Sequence, residues 1–576
     1  MARRSVASAR RTQLVSTYGV GSLFPAMDES FMVCGIDKWY ESRATEIPEP
    51  RLARSLGVQT FRAPPIGSFK HQDVPVIRFP DMHYCPNCRR LGRLRDFCSW
   101  NEHQCSDCLR DLTPSRFVAC CPRGHIEEFP YFRWVHSGQE RQDGDHRLTL
   151  RTRGRTSSLA DIEIGCSCGV KPVSMAGSFN PGALKELTRC QGARPWLPDS
   201  EPETCSEVLR TLQRGSSNVW FPMVRSALSI PPWSEGVHRI LDKNWGVFGV
   251  APAVTLAPII AAMGLATEEI SAQTLVDGIL ERRGEAGPGE PPTDDDLRRE
   301  EYQALLKGQA ERSPGQQFVC ARVDIDVETR AHFEQVSEVS RLREVRALEG
   351  FTRVTPAMPG MDVNRKAPLA AGPVRWLPAI EVLGEGIFVQ VDESRLLSWE
   401  QTEFAKQRAG VAQRAEEVRA EHFGLTLVPD VAPRELLLHS FAHILLNELS
   451  LDAGYPAASL RERLYMGPGQ SGILVYTASA DSAGSLGGLA AQSSPERIAA
   501  VIRSAVLRAS WCSADPVCIE ATSTGKGALN LAACHACLLL PETSCELLNE
   551  YLDRGTIIGT PDWPSAGFFF DLLSSR

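Results

Sequence analysis

LAACHACLLLPETSC, residues 531–545, places three cysteines and a histidine in fifteen positions. Its reading decides the fold, because thiols at this density imply disulfides, a redox pair, a nucleophile or metal ligands. The N-terminus separates the first option from the others. MARRSVASARRTQLVSTYGVG (1–21) is basic and has no continuous apolar stretch, so it is no secretory signal. It reads as an arm or first strand running into TYGVGSLF rather than as a transit peptide. A reducing compartment is therefore expected, where disulfides are rare. Eighteen cysteines in that setting, many as tight pairs, point to metal. A nucleophilic thiol would need an activating base and access, and the apolar CLLLP from Cys537 onward argues for burial.

The spacings assign ligands to sets. Cys534-His-Ala-Cys537 is a knuckle: two intervening residues let one turn aim both sulfurs at an ion. Cys545 follows it, and Cys512 and Cys518 in WCSADPVC can supply a fourth ligand. Five cysteines then compete for four places; Cys512 is the first to drop, and His535 is expected to point outward. Cys85-Pro-Asn-Cys88 and Cys105-Ser-Asp-Cys108 match a two-knuckle structural zinc site, with Cys98 as a spare thiol. Cys166, Cys168, Cys190 and Cys205 suit a looser four-thiolate site, with Cys121 and His125 as alternative ligands for it or as part of a further site. Two or three Zn2+ ions per chain are expected.

Working outward, 576 residues exceed one core and imply several domains. The expected fold is an α+β multidomain chain. Its N-terminal part is β-rich with zinc-ribbon modules, and its C-terminal α/β domain ends in a four-cysteine zinc site. The segments are 1–80, short strands; 81–215, the zinc-binding region; 216–347, mixed, with a disordered linker at 284–296; 348–432, a strand pair and a charged helix; and 433–576. Residues 297–347 and 394–422 look helical, and RWLPAIEVLGEGIFVQV (375–391) reads as two strands around a Gly turn. The C-terminal segment runs helix (RELLLHSFAHILLNELS), strand (GILVYTAS), Gly-rich loop (DSAGSLGGL), helix (SPERIAAVIRSAVLRAS) and cysteine-rich end. No apolar run is long enough for a membrane span.

The net charge of −8 is unevenly spread. Residues 1–155 hold 24 Lys/Arg against 17 Asp/Glu, and the remainder 38 against 53. Arginine dominates the basic part, with Arg89, Arg90, Arg93 and Arg95, then Arg147, Arg151, Arg153 and Arg155, as candidate phosphate contacts. The alternative is a solvated surface paired with acids elsewhere. There is no Walker loop: TSTGKGALN (522–530) has Gly527 where Ser or Thr is required. His439 and His443 share a helix face, but Ser440 stands where a zincin has Glu. They read as satisfied core histidines, with a metal-dependent hydrolase or nuclease using His439, His443 and Asp481 as the alternative. A free-standing zinc-ribbon nucleic-acid binder is a third reading.

The chain resembles the DrmB family of the bacterial DISARM anti-phage systems. The resemblance rests on RRTQLVSTYGVGSLF, YCPNC, GHIEEFP, RCQGARPWL, RGSSNVWFP, HSFAH, DSAGSLGGL and AACHACLLLPETSCE. Its C-terminal part is similar to a cysteine-rich domain appended to many superfamily-2 helicases, where four cysteines hold zinc. In that pattern an Asn and an LDR string follow the last cysteine, here Asn549 and Leu552-Asp553-Arg554. The resemblance gives the ligand role to Cys518, Cys534, Cys537 and Cys545, with a long insertion after Cys518. It implies a non-catalytic, cytoplasmic partner of a DrmA-like superfamily-2 helicase. That pair would engage foreign DNA, alone or with other DISARM components.

Overall fold

Alternation of apolar residues and short charged stretches produces a mixed α/β chain, β-rich at its N-terminus, in the computed structural model. Residues 5–574 are described except 42–43, 68–73, 99–102, 140–145, 155, 157, 232, 236, 268–269, 284–290, 312–315, 359–360, 424, 426, 478–487 and 522–528. Arg155, Asp481, most of the 481–489 Gly-rich loop and most of the 522–530 segment lie outside the described residues. No helix among the described residues is long and apolar enough to cross a membrane.

The chain folds into two units, each assembled from three stretches, where the sequence suggests five consecutive segments. The first comprises Met1–Ile47, Phe61–Arg225 and Ala347–Ile380; the second Pro48–Thr60, Ser226–Arg346 and Glu381–Arg576. Each unit thus draws on segments distant from one another in the chain.

The first unit is built from short strands. A hairpin of Leu23–Ala26 and Glu29–Val33 gains a third strand, Val76–Arg78. A six-stranded sheet runs in the order Val173–Ser174, Ile162–Cys166, Leu148–Thr152, Arg90–Arg93, Met82–Tyr84, Thr113–Pro114. In a third sheet Phe117–Cys120 lies between Ile126–Glu128 and Arg210–Gln213. Leu91, Phe117, Phe129, Tyr131, Leu148 and Ile164 form the core beneath.

The second unit carries the larger core. Gly472–Thr477 pairs antiparallel with Leu460–Tyr465 on one side and with Gly386–Gln390 on the other. Helix Pro433–Ala453 packs on both of the first two strands and on helix Pro495–Ala509. Proline at its first turn and Gly454 in the left-handed conformation at its end fix its limits. It is buried on nearly every side, and its buried residues include Arg434, His439, Ser440, His443 and Glu448 as well as the leucines.

The structure corrects three expectations. Trp376–Val391 is one continuous strand, not two around a turn. A Cβ at Gly384 would lie 2.5 Å from the Thr477 carbonyl oxygen, and one at Gly386 2.5 Å from that of Val475. These glycines thus serve close strand approach. The helical reading of 297–347 holds to Lys307 and at the short helix Val327–Arg330, but Val319–Val323 and Phe333–Thr352 are strands; the charges of the latter are paired, Arg343 with Glu381 at 2.9 Å and Arg346 with Glu344 at 2.6 Å. The linker expected to reach 296 ends earlier, since Thr293 and Asp296 form a capping box that starts helix Asp294–Lys307.

Two glycine substitutions should act in opposite directions. Gly386→Val is expected to destabilise by about 1–3 kcal/mol through overpacking against the neighbouring strand. Gly410 lies inside helix Glu403–Phe423, where an added Cβ meets only the end of Arg414 at 3.6 Å. Gly410→Ala should therefore stabilise by about 0.5–1 kcal/mol. Denaturant midpoints of the two variants against the parent check both signs.

Candidate metal centres

Five groups of four ligand-bearing side chains occur among the described residues, each with its ligand atoms within 4.8 Å of one another. Fourteen of the eighteen cysteines belong to them, and none of the eighteen is in a disulfide.

Cys85, Cys88, Cys105 and Cys108 form the first group. The two knuckles are built alike. Arg89 N donates to Cys85 O at 2.9 Å and Leu109 N to Cys105 O at 2.8 Å. The residue after each second cysteine is left-handed, with φ 66° at Arg89 and 52° at Leu109. Cys88 and Cys105 sulfurs stand 3.8 Å apart. A zinc–sulfur bond of about 2.3 Å in a tetrahedron places sulfurs about 3.8 Å from one another. Burial would raise the Cys85 thiol, but the amides of Cys88 and Asn87 turn towards it and bring it below its ordinary value.

The middle cysteines divide differently from the sequence grouping. Cys190 and Cys205 join Cys121 and His125, while Cys166 and Cys168 join His136 and His146. Strand register is the cause. Cys120 pairs with both Ile126 and Arg210, so the Cys121–His125 turn and the chain leading from Cys205 meet at one end of that sheet. His125 Nδ1 is 3.3 Å from Cys121 Sγ and 3.4 Å from Cys190 Sγ. Its Nε2 lies 3.2 Å from Glu203, whose carboxylate is held by Arg123 and Arg194. That carboxylate fixes the tautomer that leaves Nδ1 free to ligate.

In the next sheet Leu148 pairs with Cys166, which brings the nearby His146 beside it, Nδ1 to Sγ 3.4 Å. His136 follows the short helix Tyr131–Val135, donates Nδ1–H to Phe132 O and turns Nε2 to Cys168 at 3.4 Å. Cys168 is exposed, and the Val170 amide followed by His136 draws its thiol down to about 7. No regular spacing marks His136 or His146 in the sequence. By contrast Cys120 and Cys320, outside every group, are pushed up to about 12 by burial and behave as small apolar side chains.

In the second unit Cys512, Cys518, Cys534 and Cys537 form the fourth group, with sulfur separations of 3.4 Å (Cys512–Cys534), 3.7 Å (Cys518–Cys537) and 3.7 Å (Cys534–Cys537). Cys512 thus takes the place given to Cys545. Asp515 explains it: its carboxylate receives the amides of Cys512 and Ile519, folding WCSADPVC into one turn that presents both cysteines. Arg554 anchors the same carboxylate. His535 is exposed. Cys545 lies instead with His439, His443 and Glu462. Glu462 belongs to a strand that the sequence does not mark, so neither its place nor its role is legible there.

Residues 10–221 match the model of a domain of unknown function, DUF8724, and residues 441–538 that of the MrfA Zn-binding domain. The fourth group falls wholly inside the second match, and Zn2+ is the ion that this domain and its four cysteines fit. Over 579 aligned residues, 95% of this chain and the full length of the relative, the chain is 31% identical to the DISARM protein DrmB of Bacillus paralicheniformis (strain ATCC 9945a / NCIMB 11709 / CD-2).

Two outcomes are expected. Cys512→Ser should lower zinc content by one ion per chain and expose the C-terminal segment to protease, whereas His535→Ala should do neither. Glu203→Gln should weaken zinc retention at the His125 group by about 10–100-fold in chelator competition, the effect of losing a carboxylate behind a metal-bound imidazole.

Proposed function

This chain belongs to the DrmB family of DISARM proteins, and from that premise we propose that it is a non-catalytic, zinc-stabilised partner of a superfamily-2 helicase that holds foreign DNA by its phosphates. It is a DISARM component and carries a zinc-binding domain. The helicase, the DNA, the cytoplasmic location and the heterodimer are the proposal. The likeness of its C-terminal part to a domain appended to helicases supports the partner.

One observation carries the DNA contact. The two arginine groups, far apart in sequence, lie on adjacent strands of one sheet: Arg90 pairs with Thr149, and Leu150 N donates to Arg89 O at 2.9 Å. Arg89 directly follows Cys88, and Arg147 directly follows His146, so each group abuts a metal centre. Arg89, Arg93, Arg95, Arg147, Arg151 and Arg153 are exposed. Arg90 is different. Its guanidinium donates to Asp96 O at 2.7 Å and lies 4.9 Å over the Phe97 ring, so its role is internal. Arg153 is paired with Glu163 at 2.7 Å. Arg89, Arg93, Arg95 and Arg151 are the preferred phosphate contacts, since a planar guanidinium grips two phosphate oxygens at once. The metal-dependent hydrolase gains no support, because His439 and His443 are wholly buried.

Salt dependence tests this. Replacing Arg89, Arg93, Arg95 and Arg151 by Ala, in the assembled helicase complex, should flatten the slope of log affinity against log salt by about 0.7–0.9 for each phosphate no longer gripped. An unchanged slope in an intact, zinc-replete complex means that the patch does not touch DNA, and dissociation of the complex assigns it to docking. The chain alone should show no ATP turnover, having no phosphate loop or lysine to cradle a triphosphate.

A further inference from the structure

Three separate pieces of the second unit converge on one solvent-excluded point. His439 and His443 come from one face of helix Pro433–Ala453, Glu462 from the middle of strand Leu460–Tyr465, and Cys545 from the loop beyond the last cysteine knuckle. The first three have no exposed surface, and Cys545 is 4% exposed.

The distances describe a coordination shell. His439 Nε2 is 3.2 Å from Cys545 Sγ and 3.2 Å from Glu462 Oε1, and His443 Nε2 is 3.5 Å from the same oxygen. Around one zinc ion, tetrahedral edges are about 3.6 Å for nitrogen–sulfur and about 3.4 Å for nitrogen–oxygen. His443 donates Nδ1–H to Leu538 O at 2.8 Å, which leaves the lone pair on Nε2 aimed inward. That nitrogen and Glu462 Oε2 are buried with no hydrogen-bond partner among the described residues. Such atoms are costly to leave unsatisfied, about 1–3 kcal/mol each.

Two backbone amides point at the sulfur. Leu547 N and Asn549 N both donate to Cys545 Sγ, at 3.3 and 3.2 Å. The loop reaches this shape through left-handed residues at Leu548 and Asn549, φ 55° and 59°. Asn549 then locks it by exchanging two hydrogen bonds with the Leu540 backbone, at 2.8 and 2.9 Å. Glu462 Oε1 also accepts from Glu546 N at 3.0 Å, so strand and loop share the same centre.

We propose that His439, His443, Glu462 and Cys545 bind a second zinc ion in this unit, a structural site distinct from the Cys512–Cys537 group. Two neutral imidazoles, one thiolate and one carboxylate around a divalent cation sum to zero charge, the condition for burial without a large desolvation cost. Imidazole and thiolate ligands select zinc over magnesium or calcium. Four protein ligands fill the tetrahedron, and no open position remains for water or substrate. The ion would fasten helix, strand and terminal loop at one point.

The decisive measurement uses the full chain purified without chelator. Anomalous-difference maps from its crystals, recorded above and below the zinc edge, should place a peak among these four side chains as well as one among Cys512, Cys518, Cys534 and Cys537. A peak at the latter with none at the former overturns the proposal. Glu462→Gln and Cys545→Ser should each lower zinc content by one ion per chain in folded protein; unchanged content in either folded variant also overturns it. Where neither variant folds, the anomalous map of the parent chain decides.

Discussion

Sulfur and nitrogen lone pairs drawn to within hydrogen-bonding distance of one another make a site for a cation, and five such groups recur among the described residues. The strands that lie wholly within the first unit are short, from two residues at Val173–Ser174 and Thr113–Pro114 to five at Leu148–Thr152. Strands of this length do not hold a register by themselves. Each cysteine group closes a turn at a strand end: Cys85 and Cys88 between Met82–Tyr84 and Arg90–Arg93, and Cys121 and His125 between Phe117–Cys120 and Ile126–Glu128. Zinc bound at such a site would contribute on the order of 10 kcal/mol of folding free energy near neutral pH, in addition to the core beneath these sheets.

The second unit relies on a different device beside its metal. Its interior holds ionised side chains paired with one another. Arg463 is bidentate on Glu301, at 2.7 and 2.8 Å, and Leu228 N and Tyr465 Oη donate to the same carboxylate. Asp553 takes Arg408 bidentately, at 2.6 and 2.7 Å, while its own amide donates to Ser440 Oγ at 2.7 Å. Ser440, standing where a zincin would carry its Glu, therefore joins helix Pro433–Ala453 to the LDR string. Buried pairs of this kind add little net stability, but losing one partner strands the other charge. They make the arrangement of the C-terminal loops exacting.

How far the sequence discloses this depends on how local the signal is. Knuckles are local: Cys85–Cys88, Cys105–Cys108 and Cys534–Cys537 are legible from spacing, and the structure keeps each pair in one group. The α+β class, the β-rich N-terminus and helix Pro433–Ala453 are legible from local sequence for the same reason. The partners of Cys190, Cys166 and Cys545 are decided by strand register tens of residues away, which no spacing encodes. Choosing between Cys512 and Cys545 turns on the Asp515 side chain, and seeing Glu462 turns on a strand, LRERLY, whose alternation of charge hides that it is buried. The strand–turn–strand reading of 375–391 fails because glycine has two uses, and only the neighbouring chain reveals which applies.

The knuckle geometry also bears on where the positive charge sits. A left-handed residue follows the second cysteine of each knuckle, a conformation that costs a non-glycine residue about 1–2 kcal/mol. Here the positions are filled by Arg89 and Leu109, both exposed. A bound zinc outweighs that cost several-fold, so the site does not require glycine and the tip can carry a side chain chosen for what it meets outside. Arg89 therefore projects from a rigid turn, with its backbone fixed by the Cys85 carbonyl on one side and the Leu150 amide on the other. A guanidinium held this way loses less conformational freedom on meeting an anion than one on a flexible loop. An ion held by these four cysteines would thus both fasten the strands and prepare the surface beside them.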